Sequence, residues 1–173
     1  MNKQIFVING FGGVGKDTFV DLVSIELNDV LKKFHTVINF SSVDRVKEIA
    51  KEIGWNGEKS EKDRKFLSDL KKLSSEYCDM PFQSIKSKIN EFDKNENSQV
   101  LFLHIREPEE IERVVKEFGA KTILITRNVV KHIMSNTSDA NVSNYNYDYI
   151  INNNGTIEDL RETVKQFIEA VIM

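Results

Sequence analysis

The sequence predicts a single three-layer α/β domain with a mostly parallel sheet of five strands. Short apolar runs alternate regularly with longer stretches of 3.6-residue period, and no repeat or Pro/Ser-rich linker divides the 173 residues. Strands separated by helical crossovers pair mostly in parallel, and right-handed crossovers place helices on both faces of the sheet. Four of the eight glycines fall within six positions directly after the first apolar run.

Five short runs rich in β-branched and aromatic residues, as in strands buried on both faces, are the predicted strands. They cover residues 5–8, 36–40, 100–105, 122–126 and 149–151. Apolar residues at steps of three and four predict helices that pack one face on the sheet. These residues are Val20, Val23, Leu27, Val30, Leu31 and Phe34, then Phe66, Leu70, Leu73 and Tyr77, and finally Leu160, Val164, Phe167 and Val171.

Helix starts are predicted from capping boxes, in which a Ser or Thr precedes an acidic residue by three positions. Three pairs fit this pattern: Ser41 with Asp44, Ser60 with Asp63, and Thr156 with Asp159. Pro108 is expected in the first turn of a helix that ends at Gly119. The predicted order is β-α-β-α-α-α-β-α-β, then a loop or short helix, then β-α.

The composition of the chain argues against several classes of protein. The 24 basic and 27 acidic residues give a net charge of −3, without the basic surplus that drives sequence-independent binding to a phosphate backbone, which disfavours a nucleic-acid-binding module. Cys78 is the only cysteine, which excludes an intrachain disulfide and a cysteine zinc site. We expect Cys78 to be a buried apolar residue on a helix. The first apolar run has four residues, too few for a signal or membrane segment. We therefore expect a cytoplasmic monomer or homodimer without nucleic-acid or membrane partners.

The glycine cluster has the spacing of a phosphate-binding loop: Gly, four residues, Gly, Lys. Glycines let successive backbone N–H groups point at a polyphosphate, and the following helix adds its positive end. Lys16 would bind the outer phosphates, and Thr18 or Asp17 would meet Mg²⁺ or its water shell. The predicted ATP- and Mg²⁺-binding residues are Gly10, Gly12, Gly13, Val14, Gly15, Lys16, Asp17 and Thr18.

The hydroxyl at Thr18 comes one place later than in the commonest form of this loop, and Lys16-Asp17-Thr18 resembles the phosphate loops of nucleoside and deoxynucleoside monophosphate kinases. Residues 40–47 and 103–111 are similar to the acceptor-site and Arg-bearing segments of these kinases. Residues 148–160 are similar to their last strand, turn and helix, and to those of dephospho-coenzyme A kinases. The resemblance implies an adenylate kinase-like P-loop NTPase fold, with acceptor-binding helices over residues 41–95 and a short lid over 127–147.

The arginines have both functional and purely structural interpretations. Arg106 and Arg127 follow predicted strands, at the edge where open parallel sheets bind ligands, and would neutralise charge during transfer. The alternatives are a salt bridge from Arg106 to Glu107 or Glu109, and simple exposure of Arg127. The resemblance adds Ser42, Arg45, Arg64 and Arg106 as acceptor-binding residues, although a solvated helix face is the favoured alternative for Arg45 and Arg64.

Two features depart from the resembled family. His104 stands where phosphate-loop enzymes usually carry an Asp near Mg²⁺, and it is expected to be a hydrogen-bonded interior histidine, with Glu107 or Asp17 as the substitute carboxylate. The lid segment has no arginine after Arg127. Trp55 either lines the acceptor pocket or covers the core.

The sequence thus predicts an ATP-dependent kinase whose acceptor is a small molecule, foremost a nucleoside or deoxynucleoside monophosphate. Two alternatives stay open. One is a kinase of another metabolite, such as dephospho-coenzyme A. The other is a nucleotide-binding protein without phosphotransfer activity.

Overall fold

Five parallel strands form one sheet in the computed structural model, which describes residues 3–58, 60–128, 142 and 145–173. The strand order is β2-β3-β1-β4-β5. The strands are β1 (Gln4–Asn9), β2 (Val37–Ser41), β3 (Val100–His104), β4 (Lys121–Thr126) and β5 (Tyr149–Asn152). All five predicted strands are confirmed, with ends that differ by one residue at most.

The first strand lies at the centre of the sheet. Ile8 of β1 is in register with His104 of β3 on one side and with Ile123 of β4 on the other. Because all strands run in the same direction, the segments that follow β1, β3 and β4 leave the sheet at one edge. That edge therefore gathers the glycine cluster, Arg106 and Arg127.

Six α-helices follow within the described ranges. They are α1 (Lys16–Leu31), α2 (Asp44–Ile53), α3 (Glu61–Cys78), α4 (Met80–Lys94), α5 (Pro108–Phe118) and α6 (Ile157–Phe167). A π-helical turn over Ile168–Ile172 extends α6. This order confirms the predicted alternation. No helix in these ranges is both long and apolar enough to cross a lipid bilayer.

Two apolar cores cover the two faces of the sheet, because successive side chains on a strand point to opposite faces. On one face, Phe6 and Phe102 stack with ring centroids 5.5 Å apart and meet Phe19 of α1 and Phe167 of α6. On the other face, the strands pack against buried residues of α4 and α5, such as Ile85. The three-layer architecture is confirmed.

Two of the three predicted capping boxes form completely, at Ser60 with Asp63 and at Thr156 with Asp159. The one at Ser41 and Asp44 is wrong, because Ser41 is still the last residue of β2 and α2 begins only at Asp44. Half of the interaction survives, since the Ser41 backbone N–H donates to Asp44 Oδ2 at 3.0 Å. Pro108 begins α5 and Gly119 ends it, as predicted.

Helix α3 differs from its prediction because it buries none of its residues. Leu73 and Tyr77, expected to face the sheet, are 64% and 88% exposed. Cys78, expected to be buried, is exposed at the end of the helix. The reason is that α4 and α5 already cover this face of the sheet, so α3 packs on α2 and α4 in an outer position.

Helix α1 is also shorter than its apolar pattern predicts. The helix ends at Leu31, where Lys32 adopts a left-handed conformation, and Phe34 lies beyond it with 81% of its surface exposed. Val30 is half exposed. The face of α1 that packs on the sheet therefore ends at Leu31, which is partly buried against the core.

Candidate functional site

The glycine cluster forms the loop between β1 and α1. Gly10, Gly13 and Gly15 have φ angles of 147°, 82° and 95°, which side-chain-bearing residues rarely adopt. Gly15 is the residue before α1, and the helix proper begins at Lys16. The loop therefore ends on a helix N-terminus, where unpaired N–H groups and the helix dipole favour an anion.

The two ends of the loop fit tightly against the rest of the fold. A Cβ atom on Gly10 would overlap the backbone oxygen of Ile125 in β4, and one on Gly15 would lie 2.5 Å from Asn153 Nδ2. The middle of the loop is open, since nothing lies within 4 Å of a Cβ built on Gly12 or Gly13. Fixed ends and an open middle fit a backbone cradle for phosphate groups.

Three polar residues follow the loop. Lys16 lies across it, and its Nζ donates to the carbonyls of Gly10 and Phe11 at 2.6 and 2.9 Å. Asp17 and Thr18 are exposed in the first turn of α1. An ammonium group over the loop and oxygen donors beside it fit the outer phosphates of ATP and a hydrated Mg²⁺.

Arginines stand on both sides of this loop. Arg106 follows β3 and Arg127 follows β4, and these strands are the two neighbours of β1. The backbone oxygen of Arg106 accepts a hydrogen bond from Asn9 Nδ2 at 3.3 Å, which ties the turn after β3 to the start of the loop. Arg127 is half-buried, and its Nε has no hydrogen-bond partner among the described residues.

His104 ends β3 and is a largely buried, hydrogen-bonded side chain, in line with its prediction. Burial lowers its pKa to about 4, so the ring is neutral at physiological pH, and the neighbouring Asp17 only partly opposes this shift. His104 Nε2 lies 2.7 Å from Asn39 Oδ1 and 3.8 Å from Asp17 Oδ1. Because an amide oxygen only accepts, Nε2 carries the proton and is occupied as a donor.

The residues predicted to bind the acceptor are spread over α2, α3 and the turn before α2. Ser42 is buried, and its backbone N–H donates to the His104 carbonyl at 3.2 Å. Arg45 is paired with Glu48 on the same exposed helix face at 2.9 Å. Arg64 is exposed in the first turn of α3. Trp55, just after α2, is half-buried and donates from Nε1 to the Glu58 carbonyl. Their binding roles stay predictions.

A partly buried ion cluster links α3 to the turn after β3 and to α5. Lys71 Nζ lies 2.5 Å from Glu107 Oε2 and 3.1 Å from Glu110 Oε2, and its side chain is only 13% exposed. Burial raises the pKa of Glu110, while the charge of Lys71 opposes that rise. Glu107, one of the carboxylates considered for Mg²⁺, is thus bound to Lys71.

Two asparagines in this site could not be found by sequence reasoning. Asn9 Oδ1 accepts from the Gly10 N–H at 2.8 Å, and Asn9 Nδ2 donates to the Tyr147 hydroxyl. That hydroxyl in turn donates to the Val142 carbonyl, and burial raises the pKa of Tyr147 to about 12. Asn153 Nδ2 donates to the Val14 carbonyl from 139 positions away in the chain. The two amides fix opposite ends of the loop.

Most of the predicted lid, residues 127–147, lies outside the described residues. Its base is described, where the Asn128 N–H donates to Asn154 Oδ1 at 2.7 Å. The lid therefore stays a prediction.

Comparison with solved structures assigns the fold. The chain is similar to a thymidylate kinase from Ehrlichia chaffeensis over 97% of its length and all of that chain, with a TM-score of 0.52 and 12% identity. A shikimate kinase from Aquifex aeolicus matches with a TM-score of 0.51 and 13% identity over 96% of both chains. The chain has the fold of the P-loop kinases.

A sugar kinase from Janibacter shares this P-loop kinase fold with the chain, at a TM-score of 0.54 and 11% identity over 99% of this chain and 96% of that one. No protein-family model and no curated protein matches the sequence. At these identities the likeness establishes the fold, while the acceptor has to be argued from the site.

Proposed function

We propose that the chain is an ATP-dependent kinase that transfers the γ-phosphoryl group of ATP to the phosphate of a nucleoside or deoxynucleoside monophosphate. The observation that carries this proposal is the glycine loop, which ends on the N-terminus of α1 with Lys16 across it and arginines after both neighbouring strands. Phosphoryl transfer depends almost wholly on positioning and charge neutralisation. This edge of the sheet offers both.

Each part of the site has a role in this reaction. The loop amides and Lys16 would hold the donor phosphates, and Thr18 with Asp17 would orient the water shell of Mg²⁺, which supplies further charge neutralisation when bound. Arg106, after β3, and Arg127, after β4, would bind the transferred phosphoryl group from the two strands beside β1. Planar guanidinium groups bind phosphate oxygens in pairs, which suits the charge that spreads over the transferred group.

The acceptor needs no general base. A phosphate oxygen of the acceptor is already anionic, so it attacks the γ-phosphorus directly while the bond to the β–γ bridging oxygen breaks and ADP leaves. His104 is consistent with this scheme, because its low pKa and its bond to Asn39 keep it out of proton transfer. The resemblance of residues 40–47 to the acceptor-site segment of nucleoside monophosphate kinases, and of 103–111 to their Arg-bearing turn, supports a monophosphate as the acceptor.

A panel of nucleoside and deoxynucleoside monophosphates with ATP and Mg²⁺ tests the proposal by ADP formation. Lys16→Ala should lower turnover by about 10²–10³-fold, as expected for loss of a charge-stabilising donor. Lys165→Ala, at an exposed lysine in the last turn of α6, is the matched control and should leave turnover unchanged. Turnover no higher than that of Lys16→Ala with every monophosphate would refute the proposal.

His104 favours a second candidate, a nucleotide-binding protein without transfer activity. A neutral imidazole replaces the carboxylate that usually supports Mg²⁺ at the end of this strand, and imidazole is a poor Mg²⁺ ligand. This candidate predicts ATP binding by calorimetry without turnover on any acceptor. Dephospho-coenzyme A should be included in the panel of acceptors. Turnover with it, and with none of the nucleoside monophosphates, would favour a kinase of another metabolite.

A further inference from the structure

Three consecutive asparagines stand at the end of β5, and each side-chain amide makes a different contact. Asn152 is the last residue of the strand, and Asn153 and Asn154 follow it. Asn152 Oδ1 accepts from the Thr126 hydroxyl at 2.7 Å, and Asn154 Oδ1 accepts from the Asn128 N–H at 2.7 Å. The first bond joins the ends of β5 and β4, and the second joins the residues that follow these two strands. Asn153 instead donates from Nδ2 to the Val14 carbonyl at 2.9 Å. Of the three, Asn153 is the one that reaches the phosphate loop.

Asn153 is itself held in place. Its side chain is among the few buried polar ones, with 7% of the residue exposed, and its backbone N–H donates to the Thr126 carbonyl at 2.8 Å. Gly15 makes the approach possible, since a Cβ there would lie 2.5 Å from Nδ2. A buried amide with a fixed backbone is a defined anchor, and breaking its bond would leave the Val14 carbonyl without this donor.

The bond to Val14 orients the next amide group. The Val14–Gly15 peptide is trans, and a planar trans peptide directs its C=O and N–H in opposite directions. With the carbonyl turned towards Asn153, the Gly15 N–H points away from Asn153. Gly15 is the N-cap residue directly before α1, so this N–H is one of the unpaired donors at the helix N-terminus that favour an anion.

We propose that Asn153 is a positioning residue for the donor phosphates: it fixes the Val14–Gly15 peptide so that the Gly15 N–H faces the bound polyphosphate. The inference rests on the proposed binding of ATP at this loop and adds a residue from the far end of the chain to it. A purely structural role, in which Asn153 only attaches the turn to the loop, predicts loss of stability without a specific loss of phosphate affinity.

Asn153→Asp distinguishes the two roles by pH. The substitution keeps the shape of the side chain but replaces the Nδ2 donor with a carboxylate oxygen, which repels both the Val14 carbonyl and the phosphates. At pH 8 we expect the affinity for Mg²⁺·ATP to fall by about 100-fold, the combined effect of a lost donor and an added charge. Burial at this position raises the pKa of the introduced carboxyl group above its ordinary value. When that group is protonated, its O–H can donate to Val14, so affinity relative to wild type should recover as the pH falls towards 5.5.

Calorimetry with Mg²⁺·ATP and with Mg²⁺·tripolyphosphate measures these affinities at each pH, with wild type alongside to remove the titration of the ligands. Tripolyphosphate lacks the nucleoside, so an equal fold-loss for both ligands places the effect on phosphate binding. Asn152→Ala is the matched control, because it removes the side-chain bond of the neighbouring asparagine, which joins β5 to β4 and does not reach the loop. Its affinities should stay within about twofold of wild type.

The possible results separate this inference from the proposed function. Wild type that binds ATP but transfers no phosphoryl group refutes the kinase and leaves the role of Asn153 intact. Wild type that binds neither ligand overturns both. The inference alone is overturned if Asn153→Asp keeps wild-type affinity at pH 8, or loses it without recovery at low pH. If Asn153→Asp does not fold, Asn153→Ala takes its place and is expected to bind Mg²⁺·ATP about tenfold more weakly than wild type. Equal losses of affinity in Asn153→Ala and Asn152→Ala would also overturn the inference.

Discussion

Alanine substitutions along the glycine loop separate two effects that lower the free energy of unfolding, backbone strain and steric overlap. Gly12 has neither, because its φ lies outside the left-handed region and a Cβ there would have open space. Alanine restricts the unfolded chain more than glycine does. Gly12→Ala should therefore leave the free energy of unfolding unchanged or raise it by about 0.4–1 kcal/mol.

Gly13 has the strain without the overlap, with a φ of 82° and no atom within 4 Å of a Cβ. A left-handed conformation costs a side-chain-bearing residue about 1–2 kcal/mol. The effect on the unfolded chain offsets about 0.4–1 kcal/mol of that cost. Gly13→Ala should therefore lower the free energy of unfolding by about 0.5–1 kcal/mol.

Gly10 has both costs. Its φ is 147°, and a Cβ would overlap the Ile125 backbone oxygen and lie 2.9 Å from Val14 Cγ2. The Ile125 oxygen belongs to β4, which is paired on both sides and cannot move alone. Forcing atoms into a packed site costs about 1–3 kcal/mol beyond the strain, so Gly10→Ala should lose about 2–4 kcal/mol.

Urea unfolding followed by circular dichroism, without nucleotide, measures all three variants against wild type. The dependence of the free energy on urea concentration should be the same in each, so that midpoints rank stability. The expected order of stability is Gly12→Ala, then Gly13→Ala, then Gly10→Ala. A Gly10→Ala variant within about 0.5 kcal/mol of Gly12→Ala would show that β4 does not confine the loop.

Two further predictions concern the core and the end of β3. Phe102→Ala should lower the free energy of unfolding by about 3–5 kcal/mol, because the ring is fully buried against Phe6 and Phe19. Phe102→Leu should lower it less. Equal shifts of the urea midpoint in the two variants would contradict a packed aromatic core. In NMR titrations of the ring protons, His104 should show a pKa of about 4, since burial disfavours its charged form. The folded pKa lies below the usual 6.5, so His104 contributes stability that is present above pH 6.5 and lost as the pH falls through 4; an unshifted pKa in the folded protein would contradict this.

Local chemistry explains what the sequence could predict. Each strand is a short run of β-branched or aromatic residues, and such runs are buried whichever neighbour they meet. The boxes at Ser60 and Thr156 form because all of their atoms lie within one helical turn. The phosphate loop was predictable for the same reason, since Gly10 to Thr18 are contiguous.

The errors have a different origin. The apolar spacing of α3 indicates a buried face, but whether that face is covered depends on α4 and α5, which reach the sheet instead. The capping box at Ser41 failed because strand pairing extended β2 through that residue. The Asn153–Val14 bond and the Lys71–Glu107 pair join residues 139 and 36 positions apart, so no local pattern could indicate them.

The outer position of α3 has a consequence for protein engineering. A helix that buries no residue contributes little apolar area to folding, so most of its surface can be rewritten without loss of the core. Its place is set by packing on α2 and α4, together with the capping box at Ser60 and the ion cluster at Lys71. Libraries that keep those groups and vary the remaining positions of 61–78 would test the acceptor-binding role predicted for this helix on an unchanged scaffold.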